Sequence, residues 1–219
     1  MLPTMDAARI AALLEPFLGG DPIPAKVAAQ LQIYLDLLLR WNARINLTAV
    51  RDPEQVVTRH FGESLFAARL MRDAGVFDSP TASPTLADIG SGAGFPGIPI
   101  KLTVPKVDLT LIESQNKKAT FLREVIRALG IPGARVFCGR AEIWPGTAEV
   151  VTLRAVEKFE GALPLAAGLV AEGGTLCLLI GVTQVPLVPE ALGAAWQFKP
   201  AVPIPGSNGR IVLMGSVAD

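Results

Sequence analysis

The chain has 219 residues, 50% of them hydrophobic, and its 20 Lys and Arg residues balance its 20 Asp and Glu residues. This length and apolar content are typical of a globular protein with a substantial buried core. The even charge excludes a generally basic protein, so any surface for nucleic acid has to be local. The basic residues are concentrated in 101–140, which hold eight basic and three acidic side chains.

The cysteine and histidine content argues against a metal site. Cys138 and Cys177 lie in separate apolar segments, and the chain has a single histidine, so we expect no metal cofactor and two small core thiols in a reducing compartment. The amino terminus lacks a basic stretch followed by an apolar core, and the longest uncharged stretch, 173–189, is broken by Gly181 and Pro186. We therefore expect a cytoplasmic protein with no membrane partner.

Two helices are predicted before residue 78. Residues 26–45 carry apolar side chains every three or four positions, which predicts one apolar helix face. Asp52 followed by Pro53 predicts the start of a second helix, with proline at its first position. The segment 78–84 is rich in Ser, Pro and Thr. We predict an N-terminal helical cap over 1–84 and a second domain over 85–219.

From residue 85 onward, predicted strands alternate with helical or loop stretches such as 116–129. The strands are Thr85–Ile89, Val107–Ile112, Ala134–Cys138, Glu149–Leu153 and Gly174–Ile180. Such alternation predicts an α/β fold with a mostly parallel sheet that is covered on both faces. Two later runs, 195–199 and 210–214, predict an antiparallel pair, which favours the seven-stranded methyltransferase variant of the Rossmann-like fold over a dehydrogenase.

A glycine loop follows the first strand. Asp88 precedes Gly90, Gly92 and Gly94, and a helix is predicted to follow, with Pro96 in its first turn. Glycine is needed where a chain turns sharply from strand to helix and a ligand touches the backbone. The spacing fits both G-x-G-x-G and, through Gly97, the dinucleotide pattern G-x-G-x-x-G, so the ligand stays open. A turn without any ligand is the alternative. The absence of Gly-Lys-Ser/Thr excludes a Walker loop.

Glu113 ends the second predicted strand, close to the offset of about 20 residues expected for an acid that binds ribose hydroxyls. Acids at the carboxyl edge of a parallel sheet lie where ligands bind. We therefore predict that Glu113 holds a ribose, and the alternative is a solvated acid at a strand end.

Taken together, these segments resemble one family over almost the whole chain, the small-subunit ribosomal RNA guanine-N7 methyltransferases, also called the glucose-inhibited division protein B family. The segments that carry the resemblance are Arg40-Trp41-Asn42, Asn46-Leu47-Thr48, Arg59-His60, Asp88 to Lys101, Glu113-Ser114, Lys117-Lys118, Arg140-Ala141-Glu142 and Arg154-Ala155. The resemblance implies S-adenosylmethionine as cofactor and a guanine of small-subunit rRNA as methyl acceptor, in the ribosomal subunit or an assembly intermediate.

The resemblance also implies roles for individual residues. It assigns Gly90 and Phe95 to the cofactor loop, Ala141 and Glu142 to the adenine end, and Arg154 to the mouth of the site. Asp88, Gly92, Gly94 and Glu113 complete the predicted pocket from the loop argument given above. Guanine N7 carries a lone pair and no proton, so methyl transfer to it needs no general base, and we expect no catalytic residue of that kind.

Candidate RNA contacts lie in two places. The resemblance places Arg59 and His60 at an RNA-facing or domain-joining surface, although a lone histidine beside Phe61 is more often packed. Lys117, Lys118 and Arg123 follow Glu113 and are interpreted equally well as a solvated helix face or as phosphate contacts.

The chain departs from the usual family pattern in several places. It carries Leu153, Ile180 and Ile211 where Ser, Lys and His are common, and Glu63 where Asp is usual. A nicotinamide-dependent oxidoreductase and a non-catalytic ribosome-assembly factor are the alternative functions.

Overall fold

The computed structural model describes residues 5–78, 83–155 and 159–217. Its strands are β1 Thr85–Ile89, β2 Asp108–Glu113, β3 Ala134–Cys138, β4 Ala148–Arg154, β5 Val170–Gly181, β6 Trp196–Phe198, β7 Val202–Pro203 and β8 Arg210–Val217. Its α-helices are α1 Ala7–Leu18, α2 Ala25–Asn42, α3 Pro53–Val56, α4 Glu63–Asp73, α5 Gly97–Thr103, α6 Asn116–Leu129, α7 Phe159–Gly168 and α8 Leu187–Leu192. The predicted strands and the helix at 116–129 are confirmed, with shifts of a few residues at some ends.

The amino-terminal helices follow the sequence signals closely, with two additions. Asp52 caps the predicted second helix by accepting a hydrogen bond from the Gln55 amide at 2.8 Å, with Pro53 in the first position. This helix continues through a π-helical segment, Val57–Gly62, directly into α4. Helix α1 was not predicted, although Asp6 caps it through the Arg9 amide at 2.7 Å. π-Helical turns inside α-helices are frequent at functional sites.

The sheet has the predicted mostly parallel architecture, but it has eight strands in the described residues where seven were predicted, because the two-residue β7 adds to the seven on the main path. Its order is β3-β2-β1-β4-β5-β8-β6, in which the first five strands run parallel, β8 is antiparallel to β5 and β6, and the two-residue β7 pairs with β8 beside this path. The chain order reverses beside β1, which has β2 on one side and β4 on the other. The crevice outside the carboxyl ends of strands at such a reversal is where ligands bind in open α/β sheets. We call this edge the carboxyl edge.

Alternate residues of the strands pack on opposite faces of the sheet. Leu109, Leu111 and Val150 join a core that continues into the amino-terminal helices, α5 and α6. Ile112 and Val151 join a second core beneath α7 and α8. The predicted amino-terminal cap therefore packs on one face of the sheet and shares a hydrophobic core with it. The division into a cap over 1–84 and a second domain over 85–219 remains a proposal.

Pro96 is the N-cap residue of α5 and not part of its first turn, so that prediction was wrong by one position. Cys177 is buried, but Cys138 lies in the edge strand β3 and is only partly buried, because no neighbouring strand covers its outer side. Residues 79–82 of the predicted join lie outside the described residues. None of the helices in residues 5–78, 83–155 and 159–217 has both the length and the hydrophobicity of a membrane span.

Candidate cofactor and RNA site

The glycine loop turns at the carboxyl edge with three positive φ angles, +64° at Gly90, +55° at Gly92 and +92° at Gly94. A Cβ atom at Gly92 would have only the Gly90 carbonyl oxygen nearby, at 3.7 Å, so this part of the loop faces open space. A Cβ atom at Gly94 would overlap the Tyr34 hydroxyl and would lie 2.6 Å from Ile98 Cδ1. Gly92 therefore leaves the main chain accessible to a ligand, whereas Gly94 lets the loop pack against α2.

Asp88 supports the loop from inside the protein. Its side chain is fully buried, and it accepts hydrogen bonds from Thr152 Oγ1 at 2.7 Å and from the Gly97 amide at 3.3 Å. Burial raises the pKa of Asp88 to about 6, and the hydrogen bonds from Thr152, Gly97 and Ser91 oppose that rise. Asp88, which was predicted to line the site, thus connects the glycine loop to β4 and α5 through these hydrogen bonds.

Glu113 reaches the loop from the end of β2. Its carboxylate accepts hydrogen bonds from the Gly92 amide at 2.9 Å and from the Gln115 amide at 2.7 Å, and the residue is 5% exposed. Its backbone carbonyl accepts from Gly139 at 3.1 Å, beyond the end of β3. The loop after β1 and the ends of β2 and β3 are therefore joined around one acid.

Ala141 and Glu142 begin a short 3₁₀ helix, Ala141–Ile143, beside this junction. Ala141 is buried in the same core as Ile89, the last residue of β1, and Ile112, the residue before the end of β2, while Glu142 is exposed. The structure therefore brings the predicted adenine-end residues to the same edge as Gly92 and Glu113.

Phe95 is held in a stack of rings between the loop and the amino-terminal helices. Its ring centroid lies 4.8 Å from that of His60 and 5.4 Å from that of Tyr34, and both pairs are stacked. The Tyr34 hydroxyl donates a hydrogen bond to the Ala93 carbonyl in the loop. Burial raises the pKa of Tyr34 well above its usual value, which keeps this hydroxyl protonated as a donor.

Arg154, at the end of β4, contacts the amino-terminal helices. Its Nη2 donates to the Arg59 carbonyl at 2.7 Å and lies 3.1 Å from both His60 Nδ1 and Glu63 Oε2. Its guanidinium carbon is 5.9 Å from the centre of the Phe95 ring. The next residue, Ala155, has φ +50°, a left-handed conformation uncommon for a residue with a side chain. Strain of this kind clusters at active sites and ligand clamps.

His60 is a packed, neutral side chain. It is 9% exposed, and its Nε2 lies 2.8 Å from Thr48 Oγ1. Burial and the nearby charge of Arg154 lower the pKa of His60 to about 3. Because Arg154 can only donate, Nδ1 accepts and Nε2 carries the proton that it donates to Thr48. Of the two roles considered for His60, joining the helices to the sheet is the one that its contacts favour.

The other predicted RNA contacts lie at the surface. Arg59, Lys117 and Arg123 are exposed, and Lys118 is half-buried. The two lysines occupy the first turn of α6, which begins three residues after Glu113. Basic side chains therefore flank the carboxyl edge on one side.

The sequence reasoning missed Tyr34, Glu63 and Arg210. Glu63 is 2% exposed and also accepts from Arg210 Nε at 2.8 Å, so one carboxylate lies between two arginines. Two signals were available: a tyrosine on an apolar helix face needs a partner for its hydroxyl, and an acid within an otherwise apolar helix segment needs a cation.

The three apolar departures from the family pattern share one environment. Leu153, Ile180 and Ile211 are buried in the core beneath α7 and α8, and Ile180 pairs with Ile211 across β5 and β8. They lie on the sheet face opposite the amino-terminal helices. Among residues 5–78, 83–155 and 159–217, no group of three or more His, Cys, Asp or Glu side chains could hold a metal ion.

The fold and the loop define an α/β protein with a Rossmann-like methyltransferase fold. The structure is similar to that of ribosomal protein L11 methylase from Lactobacillus delbrueckii subsp. bulgaricus, with a TM-score of 0.58, 17% identity, and coverage of 72% of this chain and 80% of that one. It is also similar to M. jannaschii TYW2 in complex with AdoMet, with a TM-score of 0.51, 14% identity, and coverage of 68% and 74%. At these identities the similarity concerns the fold alone.

The sequence comparisons identify the family. Residues 27–187 match the family model described as rRNA small subunit methyltransferase G. The chain is 39% identical over 207 residues to ribosomal RNA small subunit methyltransferase G of Stenotrophomonas maltophilia, covering 93% of this chain and 92% of that one. The chain belongs to the rRNA small subunit methyltransferase G family.

Proposed function

We propose that the protein transfers a methyl group from S-adenosylmethionine to N7 of a guanine in small-subunit rRNA, without a general base. The observation that carries the cofactor assignment is the Gly90–Gly94 loop, whose main chain opens at the carboxyl edge and is tied to the carboxylate of Glu113. Membership of the family supports rRNA as the substrate.

The residues at the carboxyl edge fit this cofactor. The open main chain at Gly92 offers room for a nucleoside, and the Glu113 carboxylate is an acceptor for ribose hydroxyls. Buried Ala141 offers an apolar surface for an adenine ring, and we assign exposed Glu142 as the acceptor for its amino group. The AdoMet complex of M. jannaschii TYW2 supports the use of this fold for the same ligand.

The side chains near the loop orient groups and do not transfer protons. When bound, S-adenosylmethionine supplies an electrophilic methyl group. Both ring nitrogens of His60 have partners, and both carboxylate oxygens of Asp88 accept hydrogen bonds inside the protein. We propose that Asp88 shapes the loop from behind, whereas Gly90, Gly92, Gly94 and Phe95 line the ligand.

The acceptor chemistry suits such a site. Guanine N7 has an in-plane lone pair and no proton, so the reaction depends on alignment and not on deprotonation. Fixing the reacting groups in line contributes up to about 7 to 11 kcal/mol by effective-molarity estimates. We assign Arg59, Lys117, Lys118 and Arg123 to phosphate contacts that align the RNA, with the enzyme acting in the cytoplasm on the ribosomal subunit or an assembly intermediate.

Two measurements test this proposal. S-adenosylhomocysteine is expected to raise the unfolding temperature, and NAD is not; the reverse result would favour the nicotinamide-dependent oxidoreductase. Methyl-labelled S-adenosylmethionine is then incubated with protein-free rRNA and with intact small subunits, and we expect label in one or both. Absence of label in both, with cofactor binding intact, would favour the non-catalytic assembly factor.

The site of methylation on the base is tested separately. Small-subunit rRNA fragments transcribed with 7-deazaguanosine lack the N7 atom but keep the other guanine positions. We expect them to accept no methyl group where the matched guanosine transcripts do. Equal labelling of both would exclude N7 as the acceptor.

A further inference from the structure

We propose that Glu63 is a positioning residue of the methyl-transfer site, which acts by holding Arg154 against His60 and the cofactor loop. This inference rests on the proposed function, since it concerns the same site. Glu63 lies on α4, outside the glycine loop, and the resemblance gives it no role.

The Glu63 carboxylate is buried between two cations. Glu63 is 2% exposed, its Oε2 lies 3.1 Å from Arg154 Nη2, and its Oε1 lies 2.7 Å from Arg210 Nη2. The Arg210 side chain is 31% exposed and that of Arg154 only 13%. Arg154 therefore depends on Glu63 for its charge partner more than Arg210 does, because water reaches Arg210.

Arg154 in turn contacts groups that lie next to the glycine loop. The same Nη2 that contacts Glu63 also donates to the Arg59 carbonyl and to His60 Nδ1. His60 stacks on Phe95, which lies in the proposed cofactor loop. Glu63, Arg154, His60 and Phe95 thus form a continuous series of contacts from α4 through β4 to the loop.

Arg154 has more N–H donors than its contacts within the protein use. Its contacts with a carboxylate, a carbonyl and an imidazole are all made by Nη2, so they leave the Nε and Nη1 donors for a ligand or an RNA phosphate. These contacts favour a fixed orientation beside the Phe95 ring. Glu63 supplies the negative charge that keeps the guanidinium in this orientation.

The test measures S-adenosylhomocysteine affinity and steady-state methylation of small subunits by the full-length protein. We expect E63Q to weaken that affinity about tenfold or more, because the neutral amide has one acceptor oxygen for two cations. E63D keeps the charge and is expected to weaken it less than threefold. E54Q, which removes a half-exposed ion pair with Arg9, is the matched control and should leave it unchanged.

A double variant separates positioning from folding. If Glu63 acts through Arg154, E63Q/R154Q binds S-adenosylhomocysteine no more weakly than R154Q does. This comparison remains available if E63Q alone does not fold, because the double variant removes both buried charges. A further loss of more than threefold in the double variant would overturn the inference, as would a folded E63Q with wild-type affinity and kcat/KM.

The kinetic readout adds a second criterion. We expect E63Q to raise KM for the cofactor more than KM for the small subunit, whereas a general loss of folded protein would lower the apparent kcat alone. An equal rise in both KM values would overturn the inference. Absence of cofactor binding and methylation by the wild-type protein would refute the proposed function itself, independently of Glu63.

Discussion

The Glu113 carboxylate accepts a hydrogen bond from the Gly92 amide at 2.9 Å and so connects the end of β2 to the loop that follows β1. Both residues lie at the carboxyl edge of neighbouring parallel strands, 21 positions apart in the chain. One acid therefore shapes the loop, and we propose that the same carboxylate accepts hydrogen bonds from a bound ribose.

Replacing Glu113 tests this dual role. We expect E113Q to weaken S-adenosylhomocysteine binding about tenfold to a hundredfold, because hydrogen bonds to a charged acceptor are worth about 1.5–3 kcal/mol. Calorimetric titration measures the change. E124Q is the control, since Glu124 accepts from the Trp41 indole at 3.0 Å in the middle of α6 and should leave affinity unchanged. Equal affinities for E113Q and the wild-type protein would exclude Glu113 from the site.

The two loop glycines should respond differently to alanine. G94A is expected to lower the free energy of unfolding by about 3 kcal/mol or more, because its new methyl group overlaps Tyr34 and Ile98 in addition to the cost of positive φ. G92A should lower the free energy of unfolding by about 1–2 kcal/mol, from backbone strain alone. Urea unfolding of both variants tests the difference. Equal losses would contradict the packing of Gly94 against α2.

The single histidine allows a direct test of its environment. His60 has a pKa of about 3 in the folded protein against 6.5 when unfolded, so the unfolded state binds more protons between these values. The stability that this group contributes is present above pH 6.5 and is lost as the pH falls toward 3. With any histidine tag removed, the imidazole NMR signal should show no titration between about pH 5 and pH 8. A midpoint near 6.5 would contradict the buried, neutral assignment.

The basic residues of α6 should affect the binding of RNA but not the binding of the cofactor. The charge-reversing variants K117E and R123E are expected to raise KM for small-subunit RNA severalfold and to flatten its salt dependence, because each removes one of the proposed phosphate contacts. S-adenosylhomocysteine affinity should stay within twofold of the wild-type value. K106E is the matched control, since exposed Lys106 precedes β2 at the opposite edge of the sheet. Equal effects of all three variants would indicate a general charge effect without a local RNA surface.

The local sequence predicted the strands, the loop and Glu113 because each depends on short-range patterns. A short apolar run rich in β-compatible residues predicts a buried strand, and glycine at a sharp turn predicts the loop. Helix α1 was not predicted although Asp6 is an ordinary N-cap, and it contains Pro16, a residue that ordinarily ends or kinks a helix.

The contacts of Glu63 with Arg154 and Arg210 beside the site could not be predicted from such short-range patterns. Glu63 and Arg210 are 147 positions apart, and Arg154 meets Glu63 across 91 positions. Only the assembled fold brings the start of β8, the end of β4 and α4 to one place. The same applies to Tyr34, whose partner is a backbone carbonyl 59 residues away.

The central claim is that the carboxyl edge beside Gly92 and Glu113 binds S-adenosylmethionine. A crystal structure with S-adenosylhomocysteine tests it most directly. We predict ligand density over the Gly90–Gly94 loop, with the ribose hydroxyls on the Glu113 carboxylate and the adenine beside Ala141. Ligand density at any other place on the protein, or none at saturating concentration, would contradict the account.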